Sequence, residues 1–260
     1  MSEKIGLGVV TYNRPEYFKR IFQSIPIHRL DSFVVVNDGT PYGPLDVPLI
    51  QHETNKGVGI SKNDALRYLL ERDCDYIFLM EDDIIIKDPE VFQKYIDASK
   101  ETGIQHFNYS QHGVMNKLPN SNTPAPKTKI EYKNGISVEL YPHCVGAFSF
   151  YTKKCLNNVG LLDENFYNAT EHVEHTFSII KKGMHPPFWW FADIADSNKY
   201  LTDIPWSPQT STISSKPDHV EMVTKGLKYF EQKHKENLFR IPVQSLNLVK
   251  QSLKDIYNAK

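Results

Sequence analysis

Two periodicities alternate along the first hundred residues. The runs 5–12 (IGLGVVTY), 33–38 (FVVVND), 47–53 (VPLIQHE) and 75–81 (DYIFLME) are short, apolar and β-branched, and predict strands. Between the first two, Phe18, Ile21, Phe22 and Ile25 fall at i, i+3, i+4 and i+7, the stripe of a core-facing helix. Pro15 suits the first turn of that helix and Asn13 is placed to cap it. Leu66, Leu69 and Leu70 mark a second helix. Strands alternating with helices predict an α/β domain whose mostly parallel sheet is covered on both faces.

Further on, 88–101 reads as a helix with Asp88 as its cap, and 104–110 (IQHFNYS) as a strand. The Pro/Asn/Ser-rich stretch 116–127 reads as a mobile loop. Residues 128–141 form a hairpin about Asn134-Gly135, 144–152 (CVGAFSFYT) a strand, and 170–183 a helix ended by Gly183. A polar, proline-containing stretch fills 196–217. Two helices close the chain, with stripes at Val220, Val223, Leu227 and Phe230 and at Leu246, Val249, Leu253 and Ile256. Either stripe packs on the domain or joins two copies of the chain in a homo-oligomer. The expected organisation is one domain over 1–195, split at 110/111 into two halves, with 196–260 as a C-terminal helical appendage packed on it.

Composition narrows this picture modestly. The 260 residues are 40% hydrophobic with a net charge of -1, enough for a sizeable core and against partners held by bulk electrostatics, such as bare nucleic acid. Cys74, Cys144 and Cys155 form no C-x-x-C pair, so reduced thiols are expected. No signal-peptide core opens the chain, and no apolar run approaches the ~20 residues that span a bilayer. A soluble, cytoplasmic protein is the expectation.

The chemistry gathers where strands end. The first predicted strand runs into Thr11-Tyr12-Asn13-Arg14, the second into Asn37-Asp38-Gly39-Thr40, and the fourth into Glu81-Asp82-Asp83. In open α/β sheets ligands bind outside the carboxyl ends of the strands, so three polar strand ends point to one cleft. The acid trio lies between YIFLM and III, with no basic residue nearer than Arg72 before it and Lys87 after it. In extended chain Glu81 and Asp83 share a face, about 6.6 Å apart along the strand. Two carboxylates ~4 Å apart repel by about 4 kcal/mol at an effective dielectric near 20. The offset comes either from basic residues distant in sequence or from a hard divalent cation, Mn2+ or Mg2+, which takes one or two carboxylates and completes its shell with phosphates. The two companion strand ends favour the cation.

These residues resemble a known family, the family 2 glycosyltransferases of the GT-A fold, a Rossmann-like nucleotide-binding sheet flanked by helices. VVTYNRPEYFKRIFQSI is similar to the family's opening strand and helix, and VVVNDGT to its nucleotide-binding strand end. NKGVGISKNDAL is similar to its Asn-x-Gly segment, with Lys62 at a position usually held by Arg. LMEDDI is similar to its DxD element, with Glu81 in place of the first Asp. The resemblance implies inverting transfer of a sugar from a nucleoside-diphosphate sugar, a UDP-sugar first, to an acceptor hydroxyl. It implies nucleotide-sugar contacts from Thr11, Tyr12, Asn13, Arg14, Asp38, Lys62, Glu81 and Asp82, and metal binding by Asp83.

Residues 145–183 are similar to the family's acceptor-side segment, in which an Asp following a Glu is the catalytic base. Here the pair is Glu171-His172, and either is a candidate for the base; an imidazole with an ordinary pKa near 6.5 accepts a proton at neutral pH. On a helix Glu171, Glu174 and His175 share a face, with His172 about 100° around. His172 and His175 alone make a weak zinc site. The resemblance also raises His185 and His219 as downstream metal ligands, although each reads first as an ordinary surface or loop histidine, and Trp206, in a Pro-flanked loop, either stacks on an acceptor ring or is buried. The aromatic run 188–191 reads as core. The acceptor is open: a glycan, a protein, a small molecule or a modified nucleic-acid base. A catalytically silent nucleotide-sugar-binding scaffold is the rival from another class. A nucleotidyltransferase is disfavoured, because no Gly-rich, Lys/Arg-containing loop follows the first strand.

Overall fold

The computed structural model describes residues 3–166, 170–205 and 216–260. In chain order the elements are β1 (Ile5–Thr11), α1 (Pro15–Phe22), β2 (Ser32–Asn37), β3 (Leu49–Gln51), α2 (Val58–Glu71), β4 (Tyr76–Glu81), β5 (Ile84–Ile86), α3 (Val91–Thr102) and β6 (His106–Asn108). There follow β7 (Thr128–Glu131), β8 (Ser137–Tyr141), β9 (Phe148–Thr152), α4 (Lys153–Val159), α5 (Glu171–Lys181), β10 (Phe191–Ile194), β11 (Leu201–Asp203), α6 (His219–His234) and α7 (Leu246–Asn258).

The main sheet has the order β3-β2-β1-β4-β9-β6. Strands β1 to β4 are parallel, and β9 runs antiparallel to both of its neighbours. Alternation assigns the two faces. Leu7, Val9, Phe33, Val35, Phe78 and Met80 join a core completed by α1, α3 and α7. Val10, Val34, Val36, Ile77 and Leu79 join a second core under α2 and α4. The glycines of the first strand have a packing purpose, because a Cβ on Gly8 would lie 2.6 Å from that of Ala65 on α2. Helix α2 therefore sits close against β1, with its N-terminal end beside the ends of β1 and β2.

Two small antiparallel sheets, β10-β8-β7 and β11-β5, complete the body. The β7–β8 hairpin turns through Asn134 and Gly135, both at positive φ (58° and 72°), as the Asn-Gly pair demands. Helix α7 buries Val249, Leu253 and Ile256 in the α3 side of the core, so that stripe is consumed within the chain. Phe230 of α6 is buried with Phe177 and Phe188, whereas Val220 is exposed, so the α6 stripe is buried only at its C-terminal end.

Several local expectations are corrected. Asn13 does not cap α1: it adopts φ 52°, and its Oδ1 accepts from Thr40 N at 2.8 Å, leaving Arg14 at the cap position. Ile25 lies beyond the end of α1 but is buried in the same core. Helix α3 starts at Val91, because the Asp88 carboxylate accepts from Glu90 N at 2.9 Å and closes a turn first. The predicted strands at 104–110 and 144–152 shorten to His106–Asn108 and Phe148–Thr152. The segment 116–127 is pinned, with Asn116 buried and donating to Ser110 O and His143 O, and a bridge joining Lys117 to Pro124. The polar stretch after 196 contains β11, which pairs with β5. Trp206 lies outside the described residues.

Candidate active site

A cleft opens at the carboxyl ends of β1, β2 and β4. Of the residues singled out in the sequence, Thr11, Tyr12, Arg14, Asp38, Glu81 and Asp82 line it. Asn55, Ser61 and Lys216 line it as well.

The acid trio has protein cations. Arg14 reaches back across 68 residues of sequence to pair with Asp82, and with Asp83 Oδ2 at 3.2 Å. Asp82 also accepts from Thr11 Oγ1 at 2.6 Å, and Tyr42 OH meets both Thr11 Oγ1 (3.0 Å) and Arg14 N (2.8 Å). Burial raises the Asp82 carboxyl to about 7, Arg14's charge opposing the rise and Asp83's adding to it. Glu81 pairs with Lys62 at 2.7 Å. Of the two offsets the sequence left open, basic residues distant in sequence are therefore present: Arg14 at the cap of α1 and Lys62 of α2. The alternation of faces is corrected: the chain turns between β4 and β5, and one guanidinium touches both Asp82 and Asp83.

Lys62 does not face the open cleft. Its Nζ is buried between Glu81 Oε1, Glu171 Oε1 (3.1 Å) and Gly146 O (3.2 Å). Burial lowers its pKa, but the Glu81 and Glu171 charges outweigh that and raise it, so the ammonium is permanent. Asp38 is an anchor as well as a wall. One of its oxygens takes Lys56 N (2.7 Å) and His52 Nδ1 (2.6 Å), and the other takes Gly57 N (2.8 Å). That grip fixes the turn into α2, where Gly57 has φ 93°. Asn13 is committed to the β2 loop, whose Gly39 admits its side chain at close range.

Glu171 and His172 open α5 on the far side of Lys62. Glu171 is buried, and its Oε1 lies 3.1 Å from His172 Nδ1. Elsewhere on α5, Glu174 binds Lys233 (2.9 Å) and His234 (2.8 Å) of α6, and His175 Nε2 lies 2.9 Å from Gly160 O while its buried Nδ1 has no partner among the described residues. Of the downstream histidines, His185 is buried, bound to Pro186 O and accepting from Ala192 N, which makes it a core group. His219 begins α6.

Four groups escaped the sequence reading. Tyr42 ties the β1 end to Arg14. Lys216, beginning the last described segment, lies 5.3 Å from the centre of the Tyr12 ring and lines the cleft. His112 and Asp203 pair at 3.2 Å beside the Asp83 turn, where Ile204 N donates to Asp83 O at 2.8 Å. None carries a local motif.

Among the described residues no three His, Cys, Asp or Glu side chains converge as a metal cage. One hard oxygen is nevertheless spare: Asp83 Oδ1 is buried and unpartnered, as is Arg14 Nε. A single free carboxylate oxygen fits a cation whose shell a substrate diphosphate completes.

The architecture is that of the GT-A glycosyltransferases, a mostly parallel sheet with its polar cleft at the strand ends. No family model matches the chain. Over 220 residues, 76% of this chain and 80% of the relative, it is 24% identical to an uncharacterized glycosyltransferase of Acanthamoeba polyphaga mimivirus. It overlays on TarS of S. aureus with a TM-score of 0.53 at 15% identity, covering 98% of this chain and 43% of TarS. For TarS 1–349 in complex with UDP-GlcNAc the score is 0.52 at 16% identity, with 98% and 72% covered. A mannosyltransferase of Pyrobaculum calidifontis in complex with GDP-Man and Mn2+ gives 0.47 at 13% identity, covering 69% of this chain and 52% of that one. The chain thus spans about half the length of the mannosyltransferase and less than half of full TarS.

Proposed function

We propose that the protein is a metal-dependent, inverting glycosyltransferase that moves a sugar from a nucleoside-diphosphate sugar, a UDP-sugar first, to an acceptor hydroxyl. The observation that carries this reading is the cleft at the ends of β1, β2 and β4, which puts Thr11, Tyr12, Arg14, Asp38, Glu81 and Asp82 on one surface. The fold shared with TarS, crystallised with UDP-GlcNAc, and the similarity to the mimivirus glycosyltransferase support it.

In this reading the nucleoside lies against Tyr12 and the Asp38 turn. The diphosphate meets Lys216, whose ammonium lies 5.3 Å from the centre of the Tyr12 ring. Asn13 and Lys62 act from behind the wall, shaping the β2 loop and holding Glu81 in place. Asp83 would hold the divalent ion through its spare Oδ1. Once bound, that ion supplies charge that stabilises the departing diphosphate. The Glu171–His172 pair stands two contacts from Glu81, through Lys62, and serves the acceptor side.

Thermal denaturation with Mn2+ and a panel of UDP- and GDP-sugars tests the reading. A donor at 100 times its Kd adds about 2.7 kcal/mol, which for a domain of this size is a rise of about 5–10 °C. No shift with any donor or with free UDP or GDP contradicts it.

A further inference from the structure

We propose that the free edge of β7, which faces α7 across a groove, docks an extended acidic peptide segment of a partner protein. The segment adds to the β10-β8-β7 sheet as a fourth strand. This surface is separate from the polar cleft and does not depend on sugar transfer.

Strand β7 is the edge of its sheet and pairs on one side only. Its register with β8 decides which backbone groups are left over. Ser137 O accepts from Ala195 N at 3.0 Å, so Ser137 and Glu139 of β8 turn their peptide groups toward β10. Val138 and Leu140 then bond to Ile130 and Thr128 of β7, and Tyr132 N donates to Ile136 O at 2.8 Å in the same phase. The N–H and C=O of Lys129 and Glu131 consequently face away from β8, and no other hydrogen bond among the described residues takes them. Alternate residues offering both groups on one edge are what an added strand engages.

A groove runs along that edge. The residues from Thr128 to Lys133 line it in unbroken succession, which a strand does along its edge; across one face only alternate residues would meet it. The opposite wall is α7, through Lys250, Leu253, Lys254 and Tyr257. Ile130, Tyr132 and Leu253 belong to the main core, so both walls are anchored and the groove has an apolar base. The Tyr132 hydroxyl is buried without a partner among the described residues, which leaves a spare donor on the strand side.

Charge selects the ligand. Lys129, Lys133, Lys250 and Lys254 are exposed along the groove, and none has an acidic partner among the described residues. Against them stand Glu131 and Glu101, whose carboxylate accepts from Asn134 Nδ2 at 3.2 Å. Lys129 alone would be the charge that keeps an edge strand from pairing at random. The three lysines of the turn and of α7 lie off the strand, and together the four repel a basic peptide and attract an acidic one. The fitting sequence alternates, with carboxylates toward the lysines and aliphatic side chains toward Ile130 and Leu253. A second copy's β7 edge would bring its own lysines and its own α7 wall, so a free segment fits and a folded edge does not.

The test uses the full chain and fluorescein-labelled octapeptides that alternate Glu with Val, Ile or Leu, with Lys-for-Glu versions as controls. Anisotropy measures binding, and amide hydrogen exchange by NMR follows Lys129 and Glu131 individually. The acidic peptides are expected to bind at least about 10-fold tighter than the controls, and less tightly as salt rises. Exchange at the two amides is expected to slow at least about 10-fold on saturation. Glu131→Pro removes only an outward N–H, which an edge strand tolerates, and should weaken binding at least about 10-fold at little change in melting temperature. Lys250→Glu with Lys254→Glu, both exposed on α7, should do the same, and it carries the test if the proline variant fails to fold. Four results overturn the proposal. They are no binding by any acidic octapeptide, affinity that the folded variants leave within about 3-fold, binding that leaves both amides unprotected, and a parent dimer that Glu131→Pro dissociates in sedimentation, which gives the edge to a second copy.

Discussion

Lys62→Met isolates the energetic centre of the site. Methionine keeps most of the stem packing of a side chain that is 2% exposed, so the perturbation is mainly loss of the charge. Glu81, with 24% of its side chain exposed, can turn to water, whereas Glu171 at 4% cannot. A buried carboxylate stripped of its cation costs about 3–5 kcal/mol, several-fold more than an exposed ion pair contributes. At roughly 2–4 °C per kcal/mol for a domain of this size, the melting temperature is expected to fall by about 10 °C.

The sign of the pH dependence is part of the same prediction. In the parent, the depressed Glu171 carboxyl contributes stability that is present above its unfolded pKa and lost as the pH falls through its folded value. Without Lys62, burial dominates and the carboxyl binds its proton more readily in the folded state, so the deficit is expected to shrink from pH 7.5 to pH 5. Lys62→Met with Glu171→Gln should regain about 2 kcal/mol over Lys62→Met alone, because no buried anion is left unpaired. Urea unfolding at the two pH values measures all of this. A loss below about 1 kcal/mol, or one independent of pH, refutes the account of the Lys62 cluster.

Three further outcomes are expected. Arg14→Gln leaves Asp82 and Asp83 without their cation and should lower metal-free stability by about 3 kcal/mol, most of which Mn2+ restores; a melting curve indifferent to Mn2+ against EDTA contradicts this. Gly146→Ala pushes on the His172 ring and should cut turnover at least 10-fold at little change in donor affinity, read from kcat and KM. Burial lowers the His112 pKa, but the Asp203 hydrogen bond and the charges of Asp83, Asp203 and Glu81 raise it to about 9. The stability this adds is complete below the ordinary imidazole pKa near 6.5 and is lost as the pH rises through about 9. At most about 3 kcal/mol is at stake, and urea unfolding at the two pH extremes in EDTA should show Asp203→Asn losing most of that dependence.

Period-two alternation made the sheet legible. Leu7 and Val9 against Val10, and Phe33 and Val35 against Val34 and Val36, enter opposite cores, as buried parallel strands require. The cleft was legible for a related reason: where apolar strands stop, their polar ends must converge on one edge of the sheet. The partners of those polar groups could not be read the same way. Arg14 meets Asp82 across 68 positions, and Lys62 meets Glu171 across 109, so the acid trio looks bare in a local window. Asn13 fits a cap by residue type and neighbours, but Thr40 N supplies a competing bond that only the β1–β2 packing creates. The strand Leu201–Asp203 is short and polar at one end, and it exists because the turn after Asp83 presents β5 to it. Periodicity reports burial, whereas ion pairs across the sheet edge depend on topology.

The most direct test of the central claim is donor cleavage by the full chain with Mn2+, comparing the parent with Asp83→Ala. The account predicts nucleoside-diphosphate release from at least one UDP- or GDP-sugar, dependent on the divalent ion and reduced at least 100-fold in Asp83→Ala, with the variant folded. Cleavage that persists unchanged in EDTA and in Asp83→Ala would contradict metal binding by Asp83, and no cleavage or binding of any donor would contradict the assignment of the cleft itself.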